Sequence, residues 1–267
     1  MSTVMGEDYE RIRLDRHENG VRVLTLTDPD KRNAIGPKMR LELLAAAAEL
    51  IADRDARVLV VTGEGSAYCA GADLNAIFAE TGDPATVREN ELSYYESFLW
   101  LRDLKIPTIA AVNGHAIGAG MNLALVCDVV VTGPKAKFGA TFSKIGLHPG
   151  GGFTYFLTQR LGRGLALRTI LRGDVISGQA AAQMGLADVF SEDPLAEALE
   201  TASATANLEP RLITDIKHAV SLAETSGFEA TVGYESWAQA ASAYYPGVLD
   251  SIRAAGRSTD SPVRTRS

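Results

Sequence analysis

The first sixty residues combine two hydrophobic patterns that are both typical of β-strands. Segments 11–17 and 21–26 alternate polar and apolar residues, and Glu18-Asn19-Gly20 lies between them. Alternation around a short glycine turn predicts a β-hairpin. Segment 57–61 is continuously apolar after Arg57, which predicts a strand buried on both faces of a sheet.

Helical spacing of apolar residues begins after the hairpin. It predicts a helix over 39–52, with Pro37 suited to the first turn. We expect four residues to form its buried face: Leu41, Leu44, Ala48 and Ile51. A second helix is predicted over 84–104, and its aromatic residues are interpreted as core residues. They are Tyr94, Tyr95, Phe98 and Trp100.

Further along the chain, short apolar runs alternate with helical patterns. Strands are predicted over 129–131, 136–138 and 187–190, and helices over 153–161 and 164–171. Ser177 is expected to cap a further short helix that ends at Met184. From residue 194 the pattern is helical throughout, over 194–206, 210–224, 228–243 and 248–255. We therefore predict an α/β region over 1–191, a helical region over 192–255 and a disordered tail over 256–267.

Two of the predicted strands lead into turns made of small residues. The apolar run 106–112 precedes Gly118-Ala119-Gly120 and a helical segment, and the run 57–61 precedes Gly71-Ala72-Asp73. Such turns let another molecule approach the backbone and direct free N–H groups towards it. A carbonyl oxygen that gains negative charge suits such donors. Either turn alone is explained by tight packing, whereas the occurrence of two favours a binding role.

Composition and charge narrow the classes of function. The 267 residues are 46% hydrophobic and 22% charged, as in an ordinary globular protein, and the net charge of −7 argues against a nucleic-acid or anionic-membrane surface. Cys69 and Cys127 form no CxxC pair, which favours a reducing compartment without a structural metal. Because we find no apolar leader and no run long enough to cross a bilayer, we expect a soluble cytoplasmic protein.

Four motifs together resemble those of the crotonase (enoyl-CoA hydratase/isomerase) superfamily. They are V-T-G-x-G-x-x-Y-C-A-G-A-D over 61–73, I-P-x-I-A-A-V-N-G-x-A-x-G-A-G over 106–120, Pro29-x-x-x-Asn33-Ala34, and Pro149-Gly150-Gly151-Gly152. Their order and spacing resemble the family over roughly residues 11–190. The resemblance implies an α/β fold with a ββα spiral core and a C-terminal helical trimerisation region, and hence a homotrimer or a hexamer made of two trimers.

The resemblance also implies a ligand and its contacts. Members of the family bind acyl-CoA thioesters, so coenzyme A would enter as part of the substrate, with no prosthetic group and no metal. The backbone N–H groups of Ala72 and Ala119 correspond to the family's oxyanion hole. Lys31 and Arg32 correspond to residues along the CoA phosphates, although they could equally be solvated surface cations. The remaining contacts with CoA are expected from Ala70, Gly71, Asp73 and Leu74.

The chain departs from the family where the hydratases carry two glutamates. The corresponding positions hold Asn122 and Phe142. A positioned acid or base contributes about 10²–10⁴-fold to a rate, so we expect ordinary hydratase activity to be very weak. Tyr95 and His148 are the remaining acid–base candidates, although a structural role is the first expectation for both. Weaker candidates are Thr141, Ser143 and Glu91, and His115 is expected to be packed or exposed.

Three hypotheses remain open at this point. The chain could be an enzyme that stabilises an enolate with non-standard acid–base groups, for example an isomerase, hydrolase or decarboxylase. It could be a non-catalytic acyl-CoA-binding member of the family, which Asn122 and Phe142 would fit. It could also be a subunit that serves mainly in assembly.

Overall fold

The computed structural model describes residues 4–5, 9–78 and 83–258. Strands alternate with helices along the first two hundred residues. In chain order the strands are β1 (Val4–Met5), β2 (Ile12–Arg16), β3 (Val21–Leu26), β4 (Val58–Gly63), β5 (Ala67–Cys69), β6 (Thr108–Val112), β7 (His115–Ile117), β8 (Val129–Thr132), β9 (Lys137–Gly139), β10 (Val175–Ser177) and β11 (Val189–Phe190).

The helices connect these strands and then continue alone. They are α1 (Pro37–Ala52), α2 (Leu74–Ile77), α3 (Pro84–Asp103), α4 (Ala119–Leu125), α5 (Phe153–Arg172), α6 (Gly178–Gln183), α7 (Pro194–Ala206), α8 (Pro210–Thr225), α9 (Phe228–Ser242) and α10 (Val248–Ser258). Short 3₁₀ turns occupy Pro29–Lys31 and Thr141–Ile145.

The strands form two sheets. The larger has the order β1-β2-β3-β4-β6-β8-β11, and the smaller has the order β10-β9-β7-β5. The predicted hairpin is confirmed, because β2 and β3 pair antiparallel with Ile12 opposite Leu26. From β3 to β11 the larger sheet is parallel. The predicted α/β class is confirmed.

A repeated unit links the two sheets. After β4 and again after β6, the chain adds one strand to the smaller sheet, β5 and β7 respectively, and then enters a helix. Strands β5 and β7 are parallel neighbours. The helix that follows each of them therefore starts from the same edge of the smaller sheet. This arrangement places the two small-residue turns side by side.

The central strands are buried on both faces. Along β3, Leu24 and Leu26 belong to the larger hydrophobic cluster, whereas Val21 and Val23 belong to a second cluster on the opposite face. Ala198 and Ala202 of α7 complete that second cluster. All six residues of β4 are buried, as its continuous apolar run predicts.

Helix α7 packs on the sheet, which affects where the chain divides. One compact unit covers Met1–Asn207 and a second covers Leu208–Ser267. The sequence placed α7 in the helical region after residue 191, whereas its contacts place it in the first unit. Of the tail predicted as disordered over 256–267, residues 256–258 belong to α10, and the rest lies outside the described residues.

The predicted buried face of α1 is wrong. Leu41 is 57% exposed and Ile51 is 70% exposed, whereas Met39, Leu43 and Leu50 are buried. Helix α1 is rich in alanine and leucine on both sides, so the spacing of its apolar residues does not select one face. Buried Glu42 helps to select it, because its carboxylate accepts hydrogen bonds from the backbone N–H groups of Glu10 and Arg11 at 3.1 and 2.8 Å.

Other predicted elements agree closely with the structure. Helix α5 covers both predicted helices and has a break at Gly162, which has φ +69°. Ser177 caps α6 by accepting a hydrogen bond from the N–H of Ala180, as predicted. Strands β7 and β10, of three residues each, were not predicted. Within the described residues, no helix has both the length and the apolarity to cross a bilayer.

Candidate functional site

The two small-residue turns lie against each other. Gly71, with φ +102°, begins the first turn, and a Cβ built there would be 2.6 Å from the carbonyl oxygen of Ile117 and 3.5 Å from the amide nitrogen of Ala119. At Gly120 a Cβ would overlap the carbonyl group of Cys69. Because only glycine fits at these two positions, the contact between the turns is specified by the sequence.

The turns expose two backbone N–H groups. Ala72 forms an isolated parallel β-bridge with Ile35. In this bridge the N–H of Ile35 donates to the carbonyl of Gly71 and the N–H of Asp73 donates to the carbonyl of Ile35, so the N–H of Ala72 takes no part. Ala119 is the first residue of α4, so its N–H has no acceptor within the helix. Among the hydrogen bonds of the described residues, none uses either N–H group.

A cavity of about 120 Å³ opens in front of these turns, and its wall is mostly apolar. Both turns contribute to it, together with α3 and the loop after β9. Of the candidate site residues that the sequence singled out, eleven line this cavity: Ala70, Gly71, Ala72, Leu74, Glu91, Tyr95, Ala119, Asn122, Thr141, Phe142 and His148. Candidate residues from separate segments of the sequence therefore line the same cavity in the fold.

Asn122 and Phe142 have defined packing partners at the cavity. The Nδ2 of Asn122 donates to the carbonyl oxygen of Gly150 at 2.8 Å, while its Oδ1 is buried without a hydrogen-bond partner among the described residues. Phe142 stacks edge-on against Phe153, with ring centroids 4.9 Å apart. Neither side chain is a proton carrier at neutral pH.

Tyr95 and His148 differ as acid–base groups. Burial, followed by the charge and hydrogen bonding of Glu91, raises the pKa of Tyr95 to about 12, against a smaller opposite effect from the N–H of Gly151. The phenol therefore keeps its proton at neutral pH and acts as a donor. His148 is exposed, and its Nδ1 lies 2.7 Å from the carbonyl oxygen of Pro149, to which a protonated Nδ1 can donate a hydrogen bond.

Comparisons with known proteins agree on one family. A sequence profile described as enoyl-CoA hydratase/isomerase matches residues 16–236. The chain belongs to the enoyl-CoA hydratase/isomerase family. It is 45% identical over 193 residues to a Mycobacterium tuberculosis protein named "Probable enoyl-CoA hydratase EchA14", which covers 72% of this chain and 73% of that protein. It is 37% identical over 219 residues to the 2,3-dehydroadipyl-CoA hydratase of Escherichia coli, with coverages of 80% and 84%.

The fold gives the same assignment. The crystal structure of an enoyl-CoA hydratase from Bacillus anthracis superposes with a TM-score of 0.84 at 26% identity, covering 93% of this chain and 97% of that one. The crotonase-like α/β architecture expected from the motifs is therefore confirmed. The chain is therefore a member of an enzyme family whose description names a hydratase, which is a lyase, and an isomerase.

Three of the residues that the family resemblance assigns to CoA do not line the cavity. Lys31 and Arg32 are exposed on the turn beside the first small-residue turn, and the carbonyl of Arg32 accepts the N–H of Ala70 at 2.9 Å. Asp73 caps α2, accepting a hydrogen bond from the N–H of Ala76 at 3.2 Å. Asn33 anchors this segment, donating to the carbonyl oxygens of Glu64 and Ala67.

Sequence reasoning gave too little weight to two cavity residues of α3. Tyr94 was interpreted as a core residue, and it is buried, yet it also lines the cavity, and its hydroxyl has no hydrogen-bond partner among the described residues. Glu91 was ranked as a weak candidate, and it lines the cavity one turn before Tyr95. The spacing of four residues was the available signal, because residues at i and i+4 share a helix face.

Proposed function

We propose that this enoyl-CoA hydratase/isomerase family protein binds an acyl-CoA thioester in the cavity and stabilises negative charge on the thioester oxygen. The observation that carries the proposal is the pair of unused N–H groups, of Ala72 and Ala119, on two turns in contact at the wall of the same cavity. Fixed donors in a water-poor site contribute roughly 3 kcal/mol each to stabilisation of an oxyanion. Charge develops on that oxygen when a proton leaves the adjacent carbon.

The remainder of the CoA would follow the first turn outwards. Ala70, Gly71 and Leu74 provide small or apolar surface at the cavity, which suits a pantetheine arm. Lys31 and Arg32 are exposed cations on the neighbouring segment, which contacts this turn through the carbonyl of Arg32, and they would meet the phosphates. Because the chain has a net charge of −7, an anionic ligand would bind through local cations such as these.

We further propose that ordinary hydration of an enoyl-CoA is very weak in this protein. Asn122 and Phe142 occupy the positions at which the resemblance places the two hydratase glutamates. Asn122 uses its amide to hold Gly150, and Phe142 fills space against Phe153. Their packing also fits the alternative of a non-catalytic acyl-CoA-binding protein.

The direct test is an assay of water addition to crotonyl-CoA, in which the reaction is monitored through the loss of the enoyl absorbance. We expect turnover at least about 10²-fold below that of an ordinary family hydratase assayed in parallel, because no glutamate is available at either position. The double variant Asn122→Glu with Phe142→Glu should gain measurable hydration. Comparable turnover of the unaltered chain would contradict the roles given to both positions. Absence of CoA-ester binding by calorimetry would contradict the proposal as a whole and favour an assembly role.

We also propose assembly as a homotrimer or as a hexamer made of two trimers. Helix α9 supports this proposal, because Phe228, Val232 and Trp237 are exposed along it. Large apolar side chains exposed along one helix favour a protein contact.

A further inference from the structure

The cavity contains a carboxylate that the family positions do not provide. Among the described residues that line it, Glu91 is the one acidic side chain. Glu91 is half-buried and lies on α3, the helix that faces the cavity together with the turns of Ala72 and Ala119. The chain therefore retains a proton acceptor at the site, although it comes from a different helix.

Tyr95 lies beside this carboxylate on α3. It lies four residues after Glu91, so the two side chains share one face of α3, and the charge of Glu91 helps to raise the pKa of Tyr95. A Cβ at Gly150 would overlap the hydroxyl of Tyr95, which places that hydroxyl against the loop at the cavity wall. Because the phenol keeps its proton, it can donate to the carboxylate but cannot itself remove a proton from a substrate.

The loop that contacts Tyr95 is itself fixed. Asn122 holds the carbonyl of Gly150 from α4, and a Cβ at Gly151 would be 2.7 Å from the ring of Phe98 and 2.8 Å from the Nδ2 of Asn122. Asn122, Gly150 and Tyr95 thus form a continuous set of contacts from α4 to α3. These contacts fix the loop against Tyr95, on the face of α3 that also carries Glu91.

We propose that Glu91 is the base that removes and returns the α-proton of a bound acyl-CoA thioester, and that Tyr95 is a positioning residue for it. This inference rests on the proposed binding of the thioester at Ala72 and Ala119. The Glu91 carboxylate takes the proton, and the C–H electron pair forms the Cα–C1 double bond of an enolate. The carbonyl π pair moves onto oxygen, where the two N–H groups stabilise it. Return of the proton to Cα gives exchange, and its delivery to Cγ of an enoyl chain gives isomerisation.

The test measures proton removal without assuming the net reaction. Butyryl-CoA is incubated with the full-length protein in deuterium oxide, and deuterium at Cα is followed by mass spectrometry. We expect exchange by the unaltered chain, and a loss of about 10²–10⁴-fold in Glu91→Gln at saturating ester. Affinity for butyryl-CoA, measured by calorimetry, should stay within about threefold, because removal of a base leaves ground-state binding intact.

Three further variants separate catalysis from structure. Glu91→Asp keeps the carboxylate but shortens the side chain by one methylene group, so this variant should retain part of the exchange rate. Tyr95→Phe should lower the saturated exchange rate about tenfold without a matching loss of affinity. Glu89→Gln changes an exposed glutamate of α3 that does not line the cavity, and it should exchange like the unaltered chain.

Each other outcome has a distinct meaning. Full exchange in Glu91→Gln would overturn the role of Glu91, as would binding of butyryl-CoA by the unaltered chain without any exchange. Equal losses in Glu89→Gln and Glu91→Gln would show a general effect of charge on α3 and would also overturn it. Failure of the unaltered chain to bind butyryl-CoA would instead overturn the proposed function. If Glu91→Gln does not fold, unreduced exchange in Glu91→Asp and Tyr95→Phe would contradict the inference.

Discussion

Asn122 and Tyr95 illustrate how single side chains set the chemistry of this cavity. Asn122 is 1% exposed, and its side-chain amide donates a hydrogen bond to the carbonyl of Gly150. It therefore supports the loop at the cavity wall and transfers no proton. Tyr95 shares a face of α3 with Glu91 and lies against the same loop. Both residues could be selected from the sequence, but Glu91 rises above a weak candidate only when its neighbours in space are known.

Lys31 and Arg32 allow a prediction at the same scale. Replacing either by Ala should weaken binding of a CoA ester about two- to fivefold at low salt, since an exposed ionic contact contributes up to about 1 kcal/mol. The difference from the unaltered chain should shrink at 0.5 M NaCl, at which such contacts are screened. Calorimetry at the two salt concentrations measures both effects.

Lys135→Ala is the matched control for this prediction. It makes the same change in net charge at an exposed site between β8 and β9. Equal losses of affinity in all three variants would indicate a general charge effect. Unchanged affinity in Lys31→Ala and Arg32→Ala would place the phosphates elsewhere.

The turns are the elements around which the site is built. Each of them ends a unit in which one strand joins the larger sheet and the next joins the smaller sheet. Pairing of β5 with β7 aligns the turns, and glycine allows their backbones to touch. The positions of both turns were predictable because the glycine requirement is local. Strand β7 was missed because three residues are too few to display a period.

Gly120→Ala tests the contact between the turns. The added Cβ would overlap the carbonyl of Cys69, so we expect a loss of about 1–3 kcal/mol in the free energy of unfolding, as for other overpacked sites. Urea unfolding at a fixed protein concentration measures this loss.

The control is Gly164→Ala in α5, where a Cβ meets nothing within 4 Å. That variant should be neutral or slightly more stable, since Ala favours a helix. Equal stability of the two variants would mean that the turns separate easily.

On the scale of the whole molecule, apolar surface remains uncovered on the described part of the chain. The exposed apolar residues of α9 lie in the unit Leu208–Ser267, and Trp237 is 79% exposed. Exposed Leu41 and Ile51 of α1 lie in the other unit. Burial within one chain therefore accounts for the core of the first unit and leaves these side chains exposed, which is the surface that the proposed assembly would bury.

Assembly is tested by sedimentation. The chain has a mass of 28.4 kDa, and we expect a species of three or six times that mass. Trp237→Asp should shift the distribution towards single chains, because buried tryptophans often carry much of the energy of an interface. Gln239→Ala, at an exposed polar residue of the same helix, should not. A single-chain mass for the unaltered protein would contradict the proposed assembly.

The sequence by itself determined the features that depend on neighbouring residues. Alternation and continuous apolar runs defined the hairpin and β4, Ser177 identified the cap of α6, and glycine marked both turns. Tertiary structure alone decided the buried face of α1, the packing of α7 on the sheet, and the meeting of Glu91 and Tyr95 with Ala72 and Ala119. These features depend on contacts between segments far apart in the chain, and local periodicity contains no information about which distant surface a helix will meet.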